Sequence, residues 1–190
     1  MGFPVFFDTC VLFGEVVNDV ILRLAEELLF TPYWSGDVLD ELERNLTPRI
    51  GKERTQRRIC AMNSAFPDAA VEGYAPLIRD MTCDDKDRHV LAAAAYSPAA
   101  TLVTFNLKDF PPQSIQSVGI ELRHPDDFLM DVLDLDPARV SHACYDALMS
   151  YRLYPQTPLE YASMLTKSGL PNFAGRLLPL LETLHESRSI

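Results

Sequence analysis

Residues 3–7, Phe-Pro-Val-Phe-Phe, form an unbroken apolar run carrying three aromatic rings, and Asp8 ends it. A run that does not alternate with polar residues is buried on both faces, as strands are in a parallel sheet covered by helices. The next segment supplies such a helix: Val16, Val17, Val20, Ile21, Leu24 and Leu28 recur at helical spacing. The chain therefore begins strand, acid, helix. The pattern recurs. Residues 29–34, LFTPYW, read as a second brief strand stopped by Pro32, and Ser35 is placed to cap a helix whose apolar face is Val38, Leu39, Leu42 and Leu46. Residues 88–96 are alanine-rich and helical, 101–105 (TLVTF) are strand-like, and Pro111 and Pro112 stop the turn after them. GIELRHP (119–125) is a last short strand, and PDDFLMDVL (125–133) opens a helix with proline first and acids in its first turn. Alternating strands and helices predict an α/β fold around a mostly parallel sheet. Residues 68–82 are the least legible, with Tyr74, Leu77 and Ile78 suggesting a helical turn or two. Beyond about Leu135, three helical pieces punctuated by Pro137, Pro155, Pro158, Gly169 and Pro171 predict a helical C-terminal extension.

At 190 residues the chain is long enough to bury a core, and its 47% hydrophobic and 23% charged residues exclude disorder as the default. No apolar run approaches a membrane span, and Asp8 interrupts the N-terminal run before it reaches the length of an export signal, so the expected location is cytoplasmic. Cys10, Cys60, Cys83 and Cys144 are scattered without metal-ligand spacing, which argues for reduced thiols and against a zinc site. The net charge of −10 argues against nonspecific coating of nucleic acid. Within it lies a basic segment: Arg49, Lys52, Arg54, Arg57 and Arg58 face one acid, Glu53. That segment reads equally as a solvated helix face and as a polyanion contact.

The acids fall where the strands end. Asp8 follows the first strand and Asp109 follows the TLVTF strand within a turn. Asp87 opens the alanine-rich helix, and Glu41 lies one turn after Asp37 on the helix behind the second strand. In open parallel sheets, ligands bind outside the carboxyl ends of the strands. Converging carboxylates raise one another's pKa unless cations neutralise them, and an all-oxygen donor set without His or Cys selects Mg²⁺ or Mn²⁺. Taken singly, each acid also reads as a cap, a turn former or a solvated helix residue. Their joint placement is what favours a site.

VFFDTCVLF, SGDVLDEL, DDKDRHVLAAA and LVTFNLKDFP resemble, in order and spacing, the four acidic motifs of PIN-domain nucleases, the family of VapC-type toxins. The resemblance spans residues 3 to about 130. It implies a three-layer α/β/α PIN-like domain over 1–133, followed by the helical extension over 134–190. It also implies a divalent-metal-dependent endoribonuclease whose metal-binding acids are Asp8, Glu41, Asp87 and Asp109, with Asp84 assisting a second ion and Thr104 and Asn106 lining the site. Asp85 would be a solvated cap. By the same resemblance, Asp8 and Asp109 would hold one Mg²⁺ (or Mn²⁺) and Glu41 and Asp87 a second, so that water attacks an RNA phosphodiester. Arg49, Lys52, Arg54, Arg57, Arg58 and Arg88 are candidates for contacting RNA, and His89 can also face substrate. The family implies a homodimer, an antitoxin protein as cognate partner, and no membrane. One departure is Cys10, where the family commonly has Asn.

Three other readings compete. A haloacid-dehalogenase-like phosphatase also opens with a strand and an acid but needs a second acid at position 10, which is cysteine here. A response-regulator receiver needs a pair of acids after its first strand, and Asp8 stands alone. A PIN-like module that binds RNA or protein without catalysis would not require all four acids.

Overall fold

A computed structural model describes residues 2–188. In chain order the elements are β1 (Phe3–Phe7), α1 (Thr9–Phe13), α2 (Glu15–Glu26), β2 (Phe30–Ser35), α3 (Gly36–Ile50), α4 (Lys52–Ala65), β3 (Ala70–Val71), α5 (Arg88–Tyr96), β4 (Thr101–Val103), α6 (Pro112–Val118), β5 (Glu121–Arg123), α7 (Pro125–Leu135), α8 (Pro137–Ser150), α9 (Pro158–Lys167) and α10 (Pro171–Arg188). Short 3₁₀ turns occupy Ala75–Asp80, Asp85–Asp87 and Leu107–Asp109. The five strands form one sheet in the order β3-β2-β1-β4-β5, and every pairing is parallel. This is the helix-flanked α/β/α architecture the resemblance implies, with a helical C-terminal extension.

The chain divides into two compact units. Among the described residues, the first comprises 2–13 and 30–124 and contains the sheet; the second comprises 14–29 and 125–188 and is helical. In the first, Phe6, Phe7, Phe30 and Trp34 are buried at the centre, with Phe7 and Phe30 tilted at 5.7 Å and Trp34 edge-on to Phe66 at 6.0 Å. Each such ring contributes roughly 1.5–3 kcal/mol by leaving water. In the second, the Val17, Val20, Ile21 and Leu24 face of α2 is buried, and α2 packs on α8. The C-terminal helical pieces become α8, α9 and α10. The start of α9 carries a capping box, in which Thr157 accepts from the Glu160 amide while the Glu160 side chain accepts from the Thr157 amide.

The structure corrects three local expectations. Leu28 is not on the buried helical stripe but lies past the end of α2, exposed. Pro32 does not stop β2, which runs through it to Ser35. The Trp34 amide donates to Ala69 on the β3 side at 3.0 Å, so position 32, two residues earlier, faces the same way. Yet β3 pairs only with Trp34 and Ser35, so the N–H that proline lacks has no partner to lose. In the least legible stretch, the 3₁₀ turn is joined by the two-residue strand β3, too short to show any periodicity. Gly51, at φ +84°, joins α3 directly to α4 in a conformation an L side chain rarely adopts. Among the described residues, no helix is long and apolar enough to cross a membrane.

Candidate active site

In the observed order, the chain winds outward from β1 toward β3 and, after crossing over, from β4 toward β5. The adjacent carboxyl ends of β1 and β4 are therefore the switch point where such sheets bind ligands. Register pairs Phe7 with Val103, so the next residues, Asp8 and Thr104, emerge side by side. The Asp8 amide donates to the Val103 carbonyl at 3.1 Å, continuing the ladder one step past the strand. Its carboxylate is buried, and Oδ2 accepts from Thr104 Oγ1 at 2.6 Å and from Cys10 Sγ at 3.0 Å. Thr104 Oγ1 in turn accepts from the Asn106 amide at 3.0 Å, so one hydroxyl fixes both the carboxylate and the loop after β4. The Asn106 side chain itself is exposed.

Cys10 is a donor here. Burial pushes its thiol up to about 12, with the charge of Asp8 and the hydrogen bond to it adding to the shift. A thiol in that state is neutral at physiological pH and is no nucleophile.

The acids at 84–87 are separated by their roles. Asp84 caps the 3₁₀ turn by accepting from the Lys86 amide at 3.2 Å, and its own amide donates to the Asp109 carbonyl at 3.4 Å. That bond joins the 84–87 turn to the 107–109 turn. Asp85 is exposed and paired with Arg88 at 2.6 Å. Asp87 Oδ2 is buried yet accepts no hydrogen bond. Burial raises the Asp87 carboxyl to about 6; the Lys86 ammonium opposes this, and the charges of Asp8, Asp109 and Asp84 reinforce it. Asp8, Asp109 and Asp84 therefore each lie within electrostatic reach of Asp87. Lys86 Nζ sits 3.1 Å from Asp109 Oδ2 and 3.7 Å from Asp87 Oδ2 and partly neutralises the pair.

Glu41 lies on α3, whose N-terminus Ser35 caps by accepting from the Val38 amide at 3.3 Å. Glu41 Oε2 accepts from Thr9 Oγ1 at 2.9 Å and lies 3.7 Å from His89 Nε2. Asp37, one turn earlier, is engaged by the Tyr74 hydroxyl at 2.6 Å. Thr9 and Lys86 escape the sequence reading. Thr9 shows only its adjacency to Asp8, and a lysine between two acids reads as surface charge.

The donor chemistry suits a hard divalent cation: several carboxylates, one with an orphaned buried oxygen, and no thiolate available to bind. Among the described residues, no three His, Cys, Asp or Glu side chains converge closely enough to enclose an ion as they stand. The ammonium of Lys86 occupies part of the charge-neutralising role that a cation would take.

The basic candidates have distinct environments. Arg58 Nη2 donates to the Leu12 carbonyl at 2.6 Å and ties α4 to the end of α1. Arg57 pairs with Glu53 at 3.2 Å, one turn away on the exposed side of α4. Lys52 and Arg54 are exposed on α4. Arg49 stacks over the Phe13 ring, its Cζ 4.7 Å from the centroid, and lines a cavity beside Glu41.

Residues 4–108 match the PIN domain family, and residues 125–179 match the VapC50 C-terminal domain. Over 153 residues, 72% of this chain and 88% of the relative, the sequence is 37% identical to "Putative ribonuclease VapC50" of Mycobacterium tuberculosis (strain ATCC 25618 / H37Rv). No solved structure matches the chain.

Proposed function

Because the chain belongs to the PIN-domain family of VapC-type toxin nucleases, we propose that it is a divalent-metal-dependent endoribonuclease, the toxin of a type II toxin-antitoxin pair. The observation that carries this reading is the switch-point carboxylate Asp8, buried and oriented by Thr104, within electrostatic reach of Asp87 and its orphaned oxygen. Asp8, Asp87 and Asp109 would hold Mg²⁺ or Mn²⁺, with Glu41 and Asp84 alongside. Held by those residues, a divalent cation would supply a water of lowered pKa as nucleophile and would offset charge on the phosphate. Thr104 and Cys10 aim Asp8 by donating to its carboxylate, and Thr9 does the same for Glu41. Family membership sets aside the phosphatase and receiver readings. A small antitoxin protein as partner, a homodimer and a cytoplasmic location belong to the same proposal.

The test is incubation of the protein with a mixed RNA pool in millimolar Mg²⁺ or in excess EDTA, with sequencing of the new RNA ends. Cleavage only with Mg²⁺ is expected; identical RNA profiles in both would defeat the proposal.

The support given to Asp8 makes a second prediction. Thr104→Val keeps the shape but removes the donor, and it is expected to lower cleavage by roughly 10–100-fold, as loss of an orienting partner around metal ligands does. Thr104→Ser should retain most activity. Equal rates for the Val and Ser variants would show that the hydroxyl does nothing for the site.

Asp87 makes the site sensitive to pH. Below about 6 this carboxyl is protonated and neutral, so a cation must displace the proton; above it the carboxylate is already charged. Mn²⁺ affinity should therefore be flat above neutrality and fall toward about tenfold per pH unit below that value, where one proton is displaced. Titrating Mn²⁺ by its electron paramagnetic resonance signal between pH 5 and 8 reads this directly. Asp87→Asn should weaken binding and flatten the profile.

A further inference from the structure

A cavity of about 300 Å³ opens beside Glu41, lined by Thr9, Cys10 and Phe13 of α1 and by Glu41, Asn45 and Arg49 of α3. The last three are spaced by four residues, so one stripe of α3 forms a wall of the cavity. Its inner end is the Thr9–Glu41 hydrogen bond, and its outer end is the Arg49 guanidinium held over the Phe13 ring. The volume stands at the small end of ligand pockets, about 300–1,000 Å³.

Two groups in this wall keep their hydrogen-bonding capacity. Among the described residues, Arg49 has no carboxylate within ion-pair distance, whereas Arg57 and Arg88 are each paired with an acid in their own helix or the turn before it. The Asn45 amide likewise makes no hydrogen bond among the described residues. Arg44, Arg54 and Arg152 also have no carboxylate partner among the described residues, but Arg49 shares one cavity wall with Glu41 and is held there by the Phe13 ring. Stacking on Phe13 limits its rotamers, so less freedom is lost when it meets an anion. An amide between that cation and the Glu41 carboxylate can both donate to and accept from a base edge or a ribose hydroxyl.

We infer that this cavity is a ribonucleotide subsite, which seats the nucleotide next to the scissile phosphate: Arg49 takes the neighbouring phosphate and Asn45 contacts the base or ribose. The inference rests on the nuclease reading and deepens it, since it assigns substrate-positioning roles to two residues outside the acidic motifs. Single-stranded RNA is the substrate form that fits, because its bases can turn out of the stack into such a pocket.

Binding is measured with a fluorescein-labelled single-stranded octaribonucleotide of mixed sequence, in EDTA, across a series of salt concentrations. Arg49→Met is expected to weaken binding and to reduce the slope of log affinity against log salt by about 0.7, the loss of one phosphate contact to a single strand. Arg152→Met removes the same charge from the other unit and should leave the slope as in the wild type. In Mg²⁺, the RNA ends made by Asn45→Ala should lose base preference at one position flanking the cut, with the melting temperature of the wild type. An unchanged slope for Arg49→Met, an equal drop for Arg152→Met, or an unaltered end distribution for Asn45→Ala would overturn the subsite. If the wild type makes no Mg²⁺-dependent ends at all, the nuclease reading fails instead, while the salt slope still reports on the cavity.

Discussion

Asp8→Asn is expected to reduce metal-dependent RNA cleavage by more than roughly 100-fold, beyond the loss typical of an orienting neighbour, while the protein stays folded. The change is nearly isosteric, and an amide oxygen can still accept from the Thr104 hydroxyl that now reaches Asp8 Oδ2 at 2.6 Å. What disappears is the charge. Asp8 is buried at the switch point, so its negative charge acts on a bound cation with little water to screen it. The same charge helps raise the Asp87 carboxyl, and without it that carboxyl should ionise at lower pH. Cleavage rates, far-ultraviolet circular dichroism melts and Mn²⁺ titrations of wild type and variant separate these effects. A folded Asp8→Asn protein with the wild-type rate would remove Asp8 from the reaction.

The largest expected effect on stability lies in the helical unit, at Asp126. This buried carboxylate, in the first turn of α7, accepts from the Asn172 amide at 3.1 Å, from Asn172 Nδ2 at 2.9 Å and from the Phe173 amide at 2.9 Å. It therefore caps α10 from another helix, at an end where Pro171 itself has no N–H to satisfy. The negative charge also meets the positive end of the α10 dipole. Asp126→Ala leaves the buried Phe173 amide, and the part-buried donors of Asn172, without their acceptor and should cost about 3 kcal/mol, the upper range for hydrogen bonds to a charged group. Asp126→Asn keeps one acceptor oxygen and should cost less. Urea unfolding of the two variants checks the order. Equal and negligible losses would mean that α10 holds its place by apolar packing of Phe173, Ala174, Leu177 and Leu181 alone.

Sequence patterning conveys the site unevenly. The strand-acid-helix grammar at Phe3–Asp8 is legible because a doubly buried strand must be apolar throughout, and an acid at its end stands out against that background. Ser35 is legible as a cap for an equally local reason, since its partner is the Val38 amide three residues on. Lys86 is not legible, because its partner Asp109 lies 23 positions away across a turn that only tertiary contacts position. The same holds for Arg49, whose ring partner Phe13 belongs to a helix earlier in the chain. Nor does local periodicity say that α2 joins the C-terminal helices in one compact unit.

By itself the sequence determined the α/β alternation, the all-apolar first strand, the capped helix starts and the identity of the acids that follow strands. These depend on short-range sterics, capping and the burial of regularly spaced side chains, all of which act within a few residues. Only the tertiary structure decided that β1 lies beside β4, that Thr104 donates to a carboxylate 96 residues away, and that Pro32 can sit within a strand because the neighbouring β3 begins only at the level of Trp34. Those outcomes depend on strand order and register, which arise from packing the whole sheet and leave no trace in the spacing of neighbouring residues.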